Sequence, residues 1–287
     1  MRTERQFVQP NGTRGSFPSV AQSFSRPPKL QMEKIMAFLF LLYGVIVYLL
    51  SFATLLYLIA FVGNLPVPNA IDTGATESWP VAVVIDVLLL AVFAVQHSVM
   101  ARPAFKRAWT RLVPHTVERS TYVLFASAAL LLIFWQWRPI AGIVWSTTHP
   151  GAVLVLQAIF WAGWGLVLLS TFLINHFELF GLQQVYARLR GKPLPLPEFR
   201  TPSLDRWVRH PLYLGLLLAF WATPNMTLGH LLFAIANTGY ILIGLSLEER
   251  DLMAVFGDQY RRYRKQVSML VPLPNRKAEP KGQVRHP

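Results

Sequence analysis

The sequence predicts an all-α, polytopic integral membrane protein. The chain of 287 residues is 53% hydrophobic, and several apolar runs reach the roughly twenty residues that cross a bilayer. Its Lys and Arg residues gather on alternate connections between those runs. A polar cluster then sits at the foot of the last two runs, where His, Arg and paired Glu are costly to place beside hydrocarbon.

Taken in order, the predicted spans are Ile35–Val62, Val81–Met100, Thr121–Trp137, Ala152–Ile174 and Leu228–Leu247. A shorter apolar stretch, Val208–Ala222, stops before Pro224, and the Asn225-Met226-Thr227 link that follows is short enough to make antiparallel neighbours of its flanking helices. The expectation is five to six transmembrane helices, with a C-terminal helical hairpin and a cytoplasmic C-terminal helix running on through Tyr263. Between the fourth span and the hairpin, Phe177–Arg190 carries an apolar stripe of Phe177, Phe180, Leu182, Val185 and Leu189 against Arg188 and Arg190, as expected of an interfacial helix. Pro193-Leu194-Pro195-Leu196-Pro197 then favours an extended path, either a cover over a cytoplasmic pocket or a stiff connector.

The net charge of +13 is compatible with nucleic-acid binding by magnitude, but its distribution argues against it. Every Lys and Arg except Arg138 falls on one side of the predicted spans, while the Gly63–Pro80 connection carries only Asp72 and Glu77. That is the positive-inside pattern, with both termini cytoplasmic, and no basic face on a soluble domain is visible. The chain is expected in a bacterial inner membrane, with lipid as a partner and no nucleic acid; the oligomeric state is not legible. With no cysteine, disulfides, Cys-zinc sites and a Cys nucleophile are excluded. Residues 1–34 are polar and lack the pattern of a cleaved signal peptide. They are expected to be a disordered extension, residues 35–274 one membrane domain, and residues 275–287 a disordered tail.

The chemistry gathers in two segments. In Arg209-His210-Pro211-Leu212-Tyr213-Leu214-Gly215, Pro211 suits the first turn of a helix. His210 then sits at the cap and shares a face with Tyr213, and Gly215 permits close approach to the backbone. Alone, this reads equally as a snorkelling Arg, a capping His and an interfacial Tyr. The second segment, Glu248-Glu249-Arg250-Asp251-Leu252 followed by Phe256-Gly257-Asp258-Gln259-Tyr260-Arg261-Arg262-Tyr263, places Glu249, Leu252, Phe256, Tyr260 and Tyr263 on one helix face. Two Glu at a membrane exit imply pairing with Arg209 or binding of a cation. At the same membrane level lie Gln96-His97-Ser98 and Asn175-His176-Phe177-Glu178. His97, His176 and His210 come from separate helices without ligand spacing, so no metal site is expected. Asp86, inside the second span, is read as a buried hydrogen-bonding group.

The paired Arg209 and Glu248 segments resemble the isoprenylcysteine carboxyl methyltransferase superfamily of membrane methyltransferases. The segments Gln96-His97-Ser98-Val99-Met100-Ala101-Arg102-Pro103, Glu118-Arg119-Ser120-Thr121-Tyr122-Val123, Trp135-Gln136-Trp137-Arg138-Pro139 and Asn175-His176-Phe177-Glu178-Leu179-Phe180-Gly181-Leu182 narrow the resemblance to its methanethiol S-methyltransferases. The resemblance implies S-adenosyl-L-methionine as cofactor, held by Arg209, His210, Tyr213, Gly215, Glu248 and Glu249, and less specifically by Tyr260 and Tyr263. It implies a small thiol substrate, methanethiol going to dimethyl sulfide, with hydrogen sulfide as another acceptor. A sulfonium cation wants carboxylates and aromatic faces, which these segments offer. An alkyl thiol, at least as weakly acidic as free Cys with its pKa of about 8.5, is mostly protonated near neutrality and needs a base. His176 or His97 is the expected base, with Tyr213 positioning the sulfonium and Gln96, Asn175 and Glu178 beside the substrate. A lipid or prenyl methyltransferase is the alternative enzyme; a transporter or scaffold is the alternative of another class.

Overall fold

The computed structural model describes residues 28–194, 204 and 207–271. The expectations for residues 1–27, for Pro195-Leu196-Pro197 and for the tail from Pro272 onward lie outside the described residues. The element order is α1 (Pro28–Val62), α2 (Trp79–Ala101), α3 (Pro103–Trp109), α4 (His115–Gln136), β1 (Ile143–Ser146), α5 (Pro150–Ile174), α6 (His176–Leu179), α7 (Leu182–Arg190), α8 (Pro211–Trp221), β2 (Asn225–Thr227) and α9 (Leu228–Gln266). Five helices, α1, α2, α4, α5 and α9, are long and apolar enough to cross a membrane. The protein is an all-α integral membrane protein, and its two short strands form only a clasp.

The spans follow the apolar runs, and the departures have local causes. The first helix begins at Pro28 rather than Ile35: nothing in Lys29-Leu30-Gln31-Met32-Glu33-Lys34 breaks a helix, since these are good helix formers. The expected interfacial helix over Phe177–Arg190 is two pieces, α6 and α7, interrupted at Phe180-Gly181. Carbonyls released by that break are taken up by α4: the Arg119 Nε–H donates to Leu179 O at 2.8 Å and the Ser120 hydroxyl to Gly181 O at 3.4 Å.

The strand pair fixes the number of crossings. β1 lies in the α4–α5 connection and β2 in the α8–α9 connection, and they pair antiparallel with Trp145 opposite Met226. Both connections are therefore at the same end of the bundle. The α1–α2 connection joins them there: the Trp137 indole donates to Ile71 O at 3.0 Å, and the Thr227 hydroxyl donates to Asp72 Oδ1. So the chain traverses the bundle six times, although α8 has only 11 residues, a length of about 16 Å. A tight turn at Ala222, with Thr223 N–H donating to Trp221 O at 3.1 Å, then leads into β2.

Aromatic side chains fill the half of the bundle nearest this clasp. Phe61, Phe134, Trp137, Phe220 and Phe233 are all buried in one core, with Phe61 edge-on to Trp137 at 5.8 Å and Phe220 edge-on to Phe233 at 5.2 Å. Asp86 is fully buried here and accepts the backbone N–H of Arg138 at 2.9 Å. Helices α5 and α8 meet at two glycines. A Cβ on Gly215 would lie 2.6 Å from Gly163 O, and one on Gly163 would lie 2.7 Å from Gly215 O. Small residues that let backbones touch are a standard device for joining helices where lipid competes for the apolar surface.

The alternation of connections sets an expectation for topology mapping. Reporters inserted at Thr73 and fused after Val271 are expected on opposite faces of the membrane; reporters on the same face would reduce α8 to a re-entrant segment and break the six-pass arrangement.

Candidate functional site

The opposite end of the bundle carries the polar cluster. Residues 208–210 enter it extended: Val208 bridges Ser268 in parallel, the Arg209 N–H donates to Ser268 O at 2.8 Å and the His210 N–H to Met269 O at 3.2 Å. Pro211 then opens α8, with His210 as its N-cap residue but with no side-chain cap bond. The imidazole is thus directed into the site.

Glu249 is the centre. It is buried, a burial that a carboxylate tolerates only when paired. Arg209 supplies Nε at 2.8 Å and Nη2 at 2.6 Å, both to Oε1. Arg264 supplies Nε to Oε2 at 3.2 Å. On a straight helix Glu249 and Arg264 would be about 22 Å apart at 1.5 Å per residue. They meet because Gly257 breaks α9 with φ 53° and ψ −127°, a conformation essentially reserved for glycine. The nine residues after the bend fold back toward the site. They and the following Val267 carry carbonyls as well as a cation: Arg209 Nη1 donates to Arg264 O at 3.0 Å and to Val267 O. Tyr260, on the returning segment, is buried, and its ring lies 5.9 Å from that of Tyr263.

Glu248, one residue earlier, points elsewhere. It is half-buried and accepts the Tyr213 hydroxyl at 3.0 Å. The His210 ring lies 5.9 Å from that of Tyr213. The His210 Nε2 is buried with no hydrogen-bond partner, since its 3.5 Å approach to Glu249 Oε1 is at the limit of useful geometry. Burial lowers the His210 pKa, and the two carboxylates pull it back up. A carboxylate, a phenol ring and an orphaned imidazole nitrogen thus meet at one place in this end of the bundle.

Arg209, His210, Tyr213, Glu248, Glu249 and Tyr260 therefore come together, and Tyr263 stands beside Tyr260. Gly215 does not face this space. What approaches its backbone is Gly163 of α5.

The two candidate bases have different surroundings. His176 is buried in an aromatic box, stacked on Phe172 at 4.2 Å with an interplanar angle of 7°. The Thr171 hydroxyl donates to Leu168 O, so it must accept from the ring, and His176 Nδ1 carries the proton, at 2.9 Å. Nε2 is then the acceptor for the Tyr48 hydroxyl at 3.0 Å. Both nitrogens are engaged, and burial lowers the ring's pKa. His97 has one partner hydroxyl, Tyr122, 3.1 Å from Nδ1 and 3.0 Å from Nε2. One hydroxyl satisfies one nitrogen, which leaves the other available. Tyr122 is in turn overlaid by the Arg119 guanidinium at 5.1 Å, and Tyr240 of α9 presents its ring edge-on to His97 at 6.4 Å.

The expected substrate residues divide. Gln96 donates to the sulfur of Met100 at 3.2 Å. Asn175 caps α6, its Oδ1 accepting Glu178 N at 3.3 Å while its Nδ2 donates to Glu178 Oε2 at 2.8 Å. Asn175 and Glu178 line a polar cleft of about 500 Å³ with Lys106, His115 and Arg119. Among the described residues, no three His, Asp or Glu side chains cluster as metal ligands would. Tyr48, Tyr122 and Tyr240 were missed by the sequence reading. Arg119 and Tyr122, three apart on one helix, offered a local signal; Tyr240, in a uniformly apolar run, offered none.

Comparison with known proteins places the chain in a family. No family model and no solved structure matches the chain. It is 54% identical over 251 residues to methanethiol S-methyltransferase 1 of Bradyrhizobium diazoefficiens, covering 88% of each chain. It is 56% identical over 239 residues to methanethiol S-methyltransferase of Mycobacterium tuberculosis, covering 83% of this chain and 98% of that one. A more distant likeness, 33% over 196 residues, joins it to nurim of Danio rerio, with 66% of this chain and 70% of that one covered. With more than half of the aligned residues identical along most of both bacterial proteins, this chain belongs to the methanethiol S-methyltransferase family of membrane proteins.

Proposed function

We propose that this protein methylates a small thiol, methanethiol above all, using S-adenosyl-L-methionine, and that the reaction takes place at the end of the bundle where Glu248, Tyr213 and His210 converge, on the cytoplasmic face. The observation that carries this reading is the division of labour between adjacent glutamates. Glu249 is neutralised by Arg209 and Arg264 and holds the site together. Glu248 keeps a carboxylate, held by Tyr213, directed to the same space. Among the described residues that carboxylate has no cationic partner within ion-pair distance, and a cationic cofactor supplies one. The orphaned His210 Nε2 adds a polar contact for a ligand, and the ring of Tyr213 beside it is of the kind that attracts a sulfonium. The residues present fit the cofactor.

When bound, the cofactor supplies an electrophilic methyl group on a cationic sulfur. His97 would take the proton of the thiol, whose sulfur would accept the methyl group as the cofactor's sulfonium gave it up, so that proton, methyl group and charge all balance. A cation and an anion cancel in this step, so burial between α2, α8 and α9 favours it over the same reaction in water. His97 is the base because one of its ring nitrogens remains available. His176, with both nitrogens held, positions α5 and α6 against α1. Radiolabelled S-adenosyl-L-methionine, the purified protein and a panel of thiols, followed by headspace analysis, test the reading; transfer to a lipid extract in place of thiols favours the lipid-substrate alternative.

Three outcomes are expected. By calorimetry, Glu248→Gln and His210→Ala weaken cofactor binding while the thermal midpoint holds; Glu249→Ala destabilises the fold itself, on the scale of about 3–5 kcal/mol for a broken buried pair. Unchanged affinity in both of the first two variants rejects the site. His97→Ala lowers kcat roughly 10²-fold, the usual scale for a general base, with recovery as rising pH supplies thiolate; a rate equal to that of the parent across pH 6–9 removes His97 from the mechanism. The third concerns His176, whose folded pKa is lowered below the ordinary 6.5. Its contribution to stability is complete above pH 6.5 and declines as pH falls from there toward the folded pKa, because only the unfolded chain takes up the proton. The melting temperature of the parent should drop over that acid window more steeply than that of His176→Phe, and parallel curves would contradict this.

A further inference from the structure

An apolar groove of about 380 Å³ runs between α2 and α9 at mid-bundle depth, lined by Val87, Leu90 and Ala94 on one side and Ala236, Gly239 and Ile243 on the other. Leu90 forms its floor from the core, while the exposed Val87 and Ile243 at its rim open it on the lipid. The inner end is closed by rings. Phe93 and Tyr240 both line it and meet edge to face at 6.1 Å, and Phe93 stacks on His97 at 5.2 Å. The Phe93 and Tyr240 rings stand between this groove and His97, the proposed base. Two polar side chains line it, Asn237 and Tyr240. Asn237 spends its amide on Phe233 O at 2.9 Å. Tyr240 differs: the Ser98 hydroxyl donates to its oxygen at 3.2 Å, which leaves the phenolic proton free to be given away. Tyr240 is also within electrostatic range of Tyr213, the residue bonded to Glu248.

We infer that this groove is the acceptor subsite, in which the alkyl chain of an uncharged thiol lies between α2 and α9 while the Tyr240 hydroxyl donates a hydrogen bond to the sulfur. The inference rests on the thiol-methylating reading above. It commits the groove to an alkyl thiol because the walls are apolar apart from Asn237, whose amide is spent on Phe233, and Tyr240, whose donor stands at the end nearest His97. A hydrogen bond to sulfur favours the thiolate over the thiol, so Tyr240 assists ionisation without itself taking the proton. Its volume exceeds the need of a two-heavy-atom thiol, so the groove also admits short homologues.

The test uses the full-length protein in nanodiscs, with methanethiol, ethanethiol and 1-propanethiol, and calorimetric cofactor affinity as a control. In the parent, KM referred to the aqueous thiol is expected to fall about 4-fold per added methylene, the equivalent of about 0.8 kcal/mol of burial. Gly239→Leu fills the groove without a clash, since a Cβ there meets nothing within 4 Å; it should abolish or reverse that trend while cofactor affinity holds. Tyr240→Phe should lower kcat/KM for methanethiol about 10-fold and move the acid limb of its pH profile upward, and 2,2,2-trifluoroethanethiol, which ionises more readily, should recover most of the loss. A merely structural Tyr240 would move neither the pH limb nor the acidic-thiol rescue. If the parent methylates thiols but Gly239→Leu keeps its chain-length dependence, or Tyr240→Phe keeps its pH profile, the inference is overturned. If the parent methylates no thiol, the reaction itself is overturned, and this subsite with it.

Discussion

The Glu249 carboxylate is the constraint on which the rest of this bundle end depends. A buried anion on a membrane helix has to be surrounded by donors, and the chain brings them from two places: Arg209 from the start of α8 and Arg264 from the far side of the Gly257 bend. Arg209 in turn needs acceptors for its remaining N–H groups, and finds them in the carbonyls of Arg264 and Val267. The result is a closed circuit in which neither arginine nor the carboxylate is satisfied alone. The extended strip at residues 208–210 and its backbone bonds to Ser268 and Met269 follow from the same requirement. Glu248 and Tyr213 are held in place by this circuit without belonging to it.

The division between structural and reactive polar groups recurs around the site. His176 and His97 are both membrane-end histidines near aromatic residues, yet their hydrogen bonds separate them. Two hydroxyls hold His176 at both nitrogens, whereas one hydroxyl serves His97. Asn175 and Glu178 likewise satisfy each other within the first turn of α6. A polar residue close to a site is therefore a weak guide to function until its partners have been counted.

Much of this was legible in the sequence. Hydropathy located the spans, because a helix in lipid satisfies its own backbone, and the paired polar segments marked the end that carries the site. Charge alone offered two roles for the paired glutamates, pairing with Arg209 or binding a cation, and Glu249 takes the first. Other features were not legible. Gly215 looked like a place for a ligand to approach, but close backbone approach has the same signature whether the visitor is a ligand or a helix, and here it is Gly163. The fold-back at Gly257 was hidden because Glu249, Leu252, Phe256, Tyr260 and Tyr263 keep a helical period across it; one residue with positive φ redirects the chain without disturbing the pattern. Tyr240 was hidden for the opposite reason, as one aromatic in a span where aromatics need no explanation.

The bend at Gly257 also has a consequence for how the protein is made. Glu249 enters the membrane region with its helix, but Arg264 and the carbonyl of Val267 exist only once the last of the described segments has been synthesised. Until then the carboxylate shares a single arginine, and Arg209 lacks half of its acceptors. A domain that folds as it emerges would therefore keep this end of the bundle open until the residues after the bend have followed α9 out. In that order of events the returning segment acts as a closure on a cluster whose other members are already in place.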